Sequence, residues 1–169
     1  MAPSVEIIER DPMKFIGIET KFVHILSKDY NGDQVITPLW QKFLPLSHNI
    51  PNRIGDPLYA AIWGEPEEDR SHPYELHYLC AATVSSFDDV PDGMITYEVP
   101  AQTYAMIVHR GPISELGKTI EFLYRQWLPD SPWKHTGNTD IEVYDHRFDG
   151  CSEGSEFDYW ISVEPKEED

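Results

Sequence analysis

Leu39-Trp40-Gln41-Lys42-Phe43-Leu44-Pro45 and Leu123-Tyr124-Arg125-Gln126-Trp127-Leu128-Pro129 share one pattern, Leu-aromatic-polar-polar-aromatic-Leu-Pro, with 84 positions between Pro45 and Pro129. In the first, Ile36, Leu39, Trp40, Phe43 and Leu46 fall at helical spacing, which predicts a helix over 35–46. Thr37 and Pro38 suit an N-cap and first helical position, and Asp33 could start the helix a turn earlier. Pro45 and Pro51 bracket its end. In the second, Ile113, Leu116, Ile120, Leu123, Tyr124 and Trp127 form the apolar face of a helix that opens after Gly111-Pro112 and closes at Pro129.

Around each helix the period changes to that of strands. Met13 to Phe22, Leu58 to Trp63 and Tyr74 to Val84 are the strands of the first half, with an acidic hairpin loop at 64–71. Met94 to Val99, Gln102 to His109, Thr139 to Phe148 and Glu156 to Val163 are those of the second. The last strands also match, Glu75-Leu76-His77-Tyr78-Leu79 against Glu156-Phe157-Asp158-Tyr159-Trp160. The chain is therefore an α+β protein, one domain over 1–169 built from two β-α-β-β pseudo-repeats at about 12–84 and 95–165. One such unit leaves a sheet face uncovered and is small for independent stability. Two joined units are expected to form an antiparallel sheet with both helices on one face and a ligand cleft between the halves on the other.

The 169 residues include 30 Asp or Glu against 13 Lys or Arg, a formal charge of −17. A nucleic-acid backbone needs clustered Lys and Arg, and an anionic membrane surface repels an acidic chain, so direct nucleic-acid and membrane partners are not expected. Met1 to Arg10 lacks the apolar core of a signal peptide, and no apolar run reaches the ~18 residues of a membrane span. A cytoplasmic location follows as the default, with Cys80 as a buried small hydrophobe and Cys151 as a loop residue rather than a disulfide pair. The tail 164–169 is charged and expected to fray.

Few local motifs carry chemistry. Gly150-Cys151-Ser152-Glu153-Gly154 spells a nucleophile elbow, but a strand and not a helix follows it, so it is a turn. The seven histidines include no pair at zinc-ligand spacing, and phosphate-cradling glycine loops are missing, so neither metal nor cofactor is expected. Glu142 is the residue out of place, a carboxylate inside the strand segment Ile141-Glu142-Val143-Tyr144. If it faces the cleft, burial raises its pKa, and a flat organic cation would relieve that penalty and stack on aromatic rings. Trp63, Tyr78, Tyr104, Tyr144, Tyr159 and Trp160 all lie in predicted strands and could supply those rings. The alternative is a solvent-facing Glu142 with the aromatics in the core.

Several segments in this order resemble the GyrI-like, or bacterial effector-binding, domain of AraC-type and MerR-type multidrug regulators. They are Phe15-Ile16-Gly17-Ile18-Glu19, the helix segment 39–43, Ile50-Pro51-Asn52-Arg53-Ile54, Tyr97-Glu98-Val99-Pro100-Ala101, Tyr104-Ala105, Gly111-Pro112, Trp127-Leu128-Pro129 and 141–145. The resemblance implies the duplicated fold already found. It also implies a small-molecule organic cation as partner, held by Glu142, with Tyr159 or, for the other strand parity, Trp160 completing the site. Trp63, Tyr78 and Tyr104 are the weaker matches for its walls. At this length no helix-turn-helix module is expected, so the resemblance is to stand-alone members. Other members are similar to hydrolases of cyclopropane-bearing DNA-alkylating compounds, in which Glu142 would act as a base, or to gyrase inhibitors, which makes gyrase or a regulator an alternative protein partner.

Overall fold

The computed structural model describes residues 3–167. Among these, nine strands form one antiparallel sheet: β1 (Val5–Arg10), β2 (Met13–Val23), β3 (Leu58–Trp63), β4 (Glu75–Thr83), β5 (Ile95–Val99), β6 (Gln102–Arg110), β7 (Trp133–His135), β8 (Asp140–Tyr144) and β9 (Glu156–Pro165). Their order is β1-β6-β9-β8-β3-β4-β2-β5, with β7 added beside β9. The row is a palindrome about the β3–β8 seam, as two pseudo-repeats require. Its outermost strands are exchanged: β1 leads into β2 but pairs with β6, and β5 leads into β6 but pairs with β2. Each half thus supplies an edge strand to the other, which is why neither half makes a complete sheet alone.

The sequence reading missed β1 and β7. Val5–Arg10 intersperses Glu6 and Glu9 with aliphatics, and its partner β6 lies a hundred positions away; β7 is only three residues long. Of the tail expected to fray, Glu164 and Pro165 belong to β9 and pair with β7, while Glu168 and Asp169 lie outside the described residues, as do Met1 and Ala2.

Helix α1 (Gly32–Leu46) begins before Pro38, so that proline sits inside the helix rather than at its first position. Pro45 does not stop it either; the chain turns away through a short 3-10 segment, Ser47–Asn49. The second helix begins with a 3-10 turn, Ile113–Glu115, and continues as α2 (Leu116–Phe122) into a π-helical stretch, Leu123–Trp127, and a last turn at Leu128–Asp130. A π turn fits one additional residue into the helix and shifts the face beyond it, so the shared Leu-aromatic pattern ends in different geometry in the two halves.

Both helices cover one face of the sheet, where Phe43, Leu116, Ile120 and Leu123 pack on Ile16, Ile18, Ala105, Ile107 and Ile161. The opposite face has its own core of Phe15, Leu79, Tyr104, Ile141, Val143 and Trp160. It is closed by curling of the sheet. At Gly17, β2 pairs with β4 and β5 together, and a Cβ there would overlap the Cys80 carbonyl. The curl carries Tyr97 of β5 over that face, where its hydroxyl meets Thr139 Oγ1 at 2.6 Å and its ring stacks on Trp63 with centroids 3.9 Å apart.

Candidate functional site

The strand alternation of β8 is settled by its neighbours. Glu142 stands opposite Ala60 of β3 on one side and Tyr159 of β9 on the other, and Ala60 in turn faces Cys80 of β4. The row Cys80, Ala60, Glu142, Tyr159 lies on the helix side, and two of its four members are small. That leaves space above β3 between α1 and the start of α2. A cleft of about 780 Å³ occupies it, within the range of small-molecule sites. The cleft therefore opens on the helix face. The expectation that it would lie on the opposite face fails because the curled sheet fills that side with its own core.

Both halves build the cleft. Leu58 and Tyr78 come from the first, Glu142, Tyr144 and Phe148 from the second; Trp40 and Ile36 of α1 form one wall, and Ile113 and Leu116 the other. Among the described residues three carboxylates line it, Asp33, Glu142 and Asp145, and no Lys or Arg does. Asp145 is already neutralised: Arg147 Nε donates to its Oδ1 at 2.9 Å and Nη2 to its Oδ2 at 3.0 Å, which holds its pKa below the usual range.

Glu142 is 4% exposed. Tyr78 Oη donates to its Oε1 at 2.6 Å and Tyr144 Oη to the same oxygen at 2.7 Å. Trp40 Nε1 donates to Tyr78 Oη at 3.0 Å, so the hydrogen bonds all point one way, from helix to strand to carboxylate. Among the described residues nothing donates to Oε2. Burial raises the Glu142 pKa and outweighs the two tyrosine bonds, which lower it. Burial, then the charge of Glu142, pushes Tyr78 and Tyr144 well above 10, so both remain donors. Tyr30 overhangs the cleft from the β2–α1 loop, its pKa pushed up to about 12 by burial, Asp33 and Glu142.

Of the aromatic residues singled out in the sequence, Tyr78, Tyr144 and Tyr159 share the Glu142 side of the sheet. Tyr78 and Tyr144 line the cleft, and Tyr159 lines a recess behind Glu142. Strand parity excludes the other three. Trp160, Tyr104 and Trp63 lie on the opposite face, Trp160 and Tyr104 with ring centroids 5.3 Å apart and Trp63 stacked between Tyr97 and His77. Trp40, Tyr30 and Phe148 line the cleft but were not singled out. Trp40 carried a signal, since it is an aromatic of the repeated helix pattern; Tyr30 lies in a loop, where no period reports direction, and Phe148, expected at the end of a strand, lies in the loop after β8.

With this geometry, comparison with known proteins identifies the class. The sequence pattern of the integron-associated effector binding protein family, Cass2, matches residues 6–163, and the chain belongs to that family. It is 27% identical over 161 residues to the transcriptional regulator BrlR of Pseudomonas aeruginosa, covering 93% of this chain and 54% of the regulator, so it spans about half the length of that relative. Among solved structures, SAV2435 bound to tetraphenylphosphonium superposes with a TM-score of 0.74 at 12% identity, over 95% of this chain and 94% of that one. The integron cassette protein VCH_CASS2 of Vibrio cholerae gives 0.61 at 15% identity, over 95% of each chain. At such identities the likeness establishes the fold. Among the described residues no helix is long and apolar enough to cross a membrane.

Proposed function

We propose that this protein binds hydrophobic, aromatic organic cations in the cleft between α1 and α2, with Glu142 as the counter-charge. The observation that carries this reading is a nearly buried carboxylate, held by two tyrosine hydroxyls on one oxygen and, among the described residues, without a donor on the other, facing an aromatic cleft that none of the described basic residues lines. An organic cation is weakly hydrated, so it loses little on entering; it neutralises Glu142 and meets the faces of Trp40, Tyr144 and Tyr30. That SAV2435, of the same fold, is seen with tetraphenylphosphonium supports the choice of ligand class. Titration with tetraphenylphosphonium by calorimetry tests it. Glu142→Gln keeps the shape and an acceptor for the tyrosines but removes the charge, and should weaken binding by about 2–5 kcal/mol. Equal affinity of the two proteins for every cation tried would refute the reading.

A second reading rests on the same free oxygen. A carboxylate of raised pKa beside an apolar cleft can take a proton from water, which would make Glu142 the base of a hydrolase. Incubation with a cyclopropane-bearing alkylating compound separates the two: ring-opened product in many-fold excess over protein means catalysis, and protection of one equivalent means binding.

A further inference from the structure

Both hydrogen bonds that Glu142 accepts land on one oxygen. Trp40 donates to Tyr78, and Tyr78 and Tyr144 donate to Oε1, which fixes the carboxylate plane and leaves Oε2 without a donor among the described residues. This oxygen is open to the cleft, and a donor supplied there forms a charge-assisted bond stronger than a neutral one. Among the described residues no Lys or Arg lines the cleft, the Tyr30, Thr37 and Ser114 hydroxyls that line it make no hydrogen bond to Oε2, and the nearby Arg147 is committed to Asp145 and Asp158, each at 2.9 Å.

A smaller recess of about 40 Å³ shares Tyr30, Tyr78 and Glu142 with the main cleft and is lined further by His24, Ile62 and Tyr159. His24 Nδ1 accepts the Leu26 N–H at 3.1 Å, which puts the proton of its neutral ring on Nε2, and among the described residues it makes no hydrogen bond to Glu142.

We infer that the cleft selects cations bearing N–H bonds, primary ammonium or amidinium heads on an aromatic body, over quaternary cations of the same shape, with Glu142 Oε2 as the acceptor. This rests on the cation-binding reading above. It runs against the usual order, because a primary ammonium is far more strongly hydrated than a quaternary one and an aromatic cage without an acceptor favours the quaternary ion.

The test is a matched series at pH 7: 9-anthracenylmethylammonium and its N,N-dimethyl and N,N,N-trimethyl derivatives, titrated alongside tetraphenylphosphonium into the wild type and Glu142→Gln. The primary ion should bind at least ~10-fold more tightly than the trimethyl ion, the equivalent of about 1.4 kcal/mol, and the preference should shrink to about threefold or less in Glu142→Gln. A trimethyl ion that binds as well as the primary one, while tetraphenylphosphonium also binds, overturns this inference and leaves the cation reading standing. A primary-ion preference that persists undiminished in Glu142→Gln overturns the assignment to Oε2. If no cation in the set binds, both readings fall.

Discussion

Strands β3 and β8 run side by side at the seam of the pseudo-repeat and occupy equivalent places, yet one carries hydrocarbon where the other carries acid. Tyr78 of β4 pairs with Ile62, and its counterpart Tyr159 of β9 pairs with Glu142; Ile62 itself stands opposite Asp140. The helix side of β3 is Ala60 and Ile62, and that of β8 is Asp140 and Glu142, all 7% exposed or less. The two acids also differ from each other. Asp140 Oδ1 accepts the Ser162 N–H at 2.8 Å, His135 Nε2 lies 2.9 Å away, and Tyr124 donates to Oδ2 at 3.3 Å. Glu142 spends one oxygen and keeps the other open to the cleft. A saturated buried carboxylate is a structural tie between strands; the half-saturated one is the counter-charge of the binding we propose.

That contrast can be broken experimentally, and the largest effect should come from copying the acid into the wrong half. Ile62→Glu places a carboxylate directly opposite Asp140 with no donor prepared for it, and at pH 8 should destabilise the fold by about 3–5 kcal/mol without creating a second cation site. Urea unfolding and cation titration of the same variant check both halves of the statement. Next, Asp140→Ala strips Ser162, His135 and Tyr124 of their shared acceptor and should lose about 3 kcal/mol of stability, while the folded fraction still binds tetraphenylphosphonium.

Tyr144→Phe acts on the other acid. The tyrosine bond lowers the Glu142 pKa, so its loss raises that pKa further and should weaken cation binding by about 1.5–3 kcal/mol near the midpoint. Binding requires the ionised carboxylate, so affinity is full above the folded pKa and falls as pH drops through it. In Tyr144→Phe the midpoint of that fall should move to higher pH, which titrations across a pH series will show; an unmoved midpoint would separate Tyr144 from the charge.

The smallest effect has the most informative sign. A carboxyl whose folded pKa is raised binds its proton more tightly in the native state, so its presence costs stability as pH rises above its unfolded value of 4.5. Glu142→Gln should therefore melt about 2–4 °C higher than the wild type at pH 7 for each kcal/mol recovered, although it loses the ligand. Below pH 4.5 the advantage should vanish. Glu142 would then be kept for binding at a cost to the fold, the reverse of Asp140.

How much of this could be read from residues alone depends on range. Both helices and seven strands follow from periodicity over ten or so neighbours, and the duplication from comparing Leu39–Pro45 with Leu123–Pro129. β1 escaped because an acidic edge strand resembles a loop until β6 is beside it. For the site, Glu142 was legible as a polar residue in an apolar strand. Which rings join it was not, since a period of two separates Tyr159 from Trp160 but cannot say which of them faces the helices.

Composition, the repeat and one misplaced acid were thus determined by the sequence itself, because local propensity and hydrophobic period act between near neighbours along the chain. The exchange of β1 and β5, the side on which the cleft opens and the partition of the aromatics between two faces were decided only in the tertiary structure. These depend on strand register and on the curl of the sheet, which arise between residues up to a hundred positions apart and leave no periodic mark on either partner.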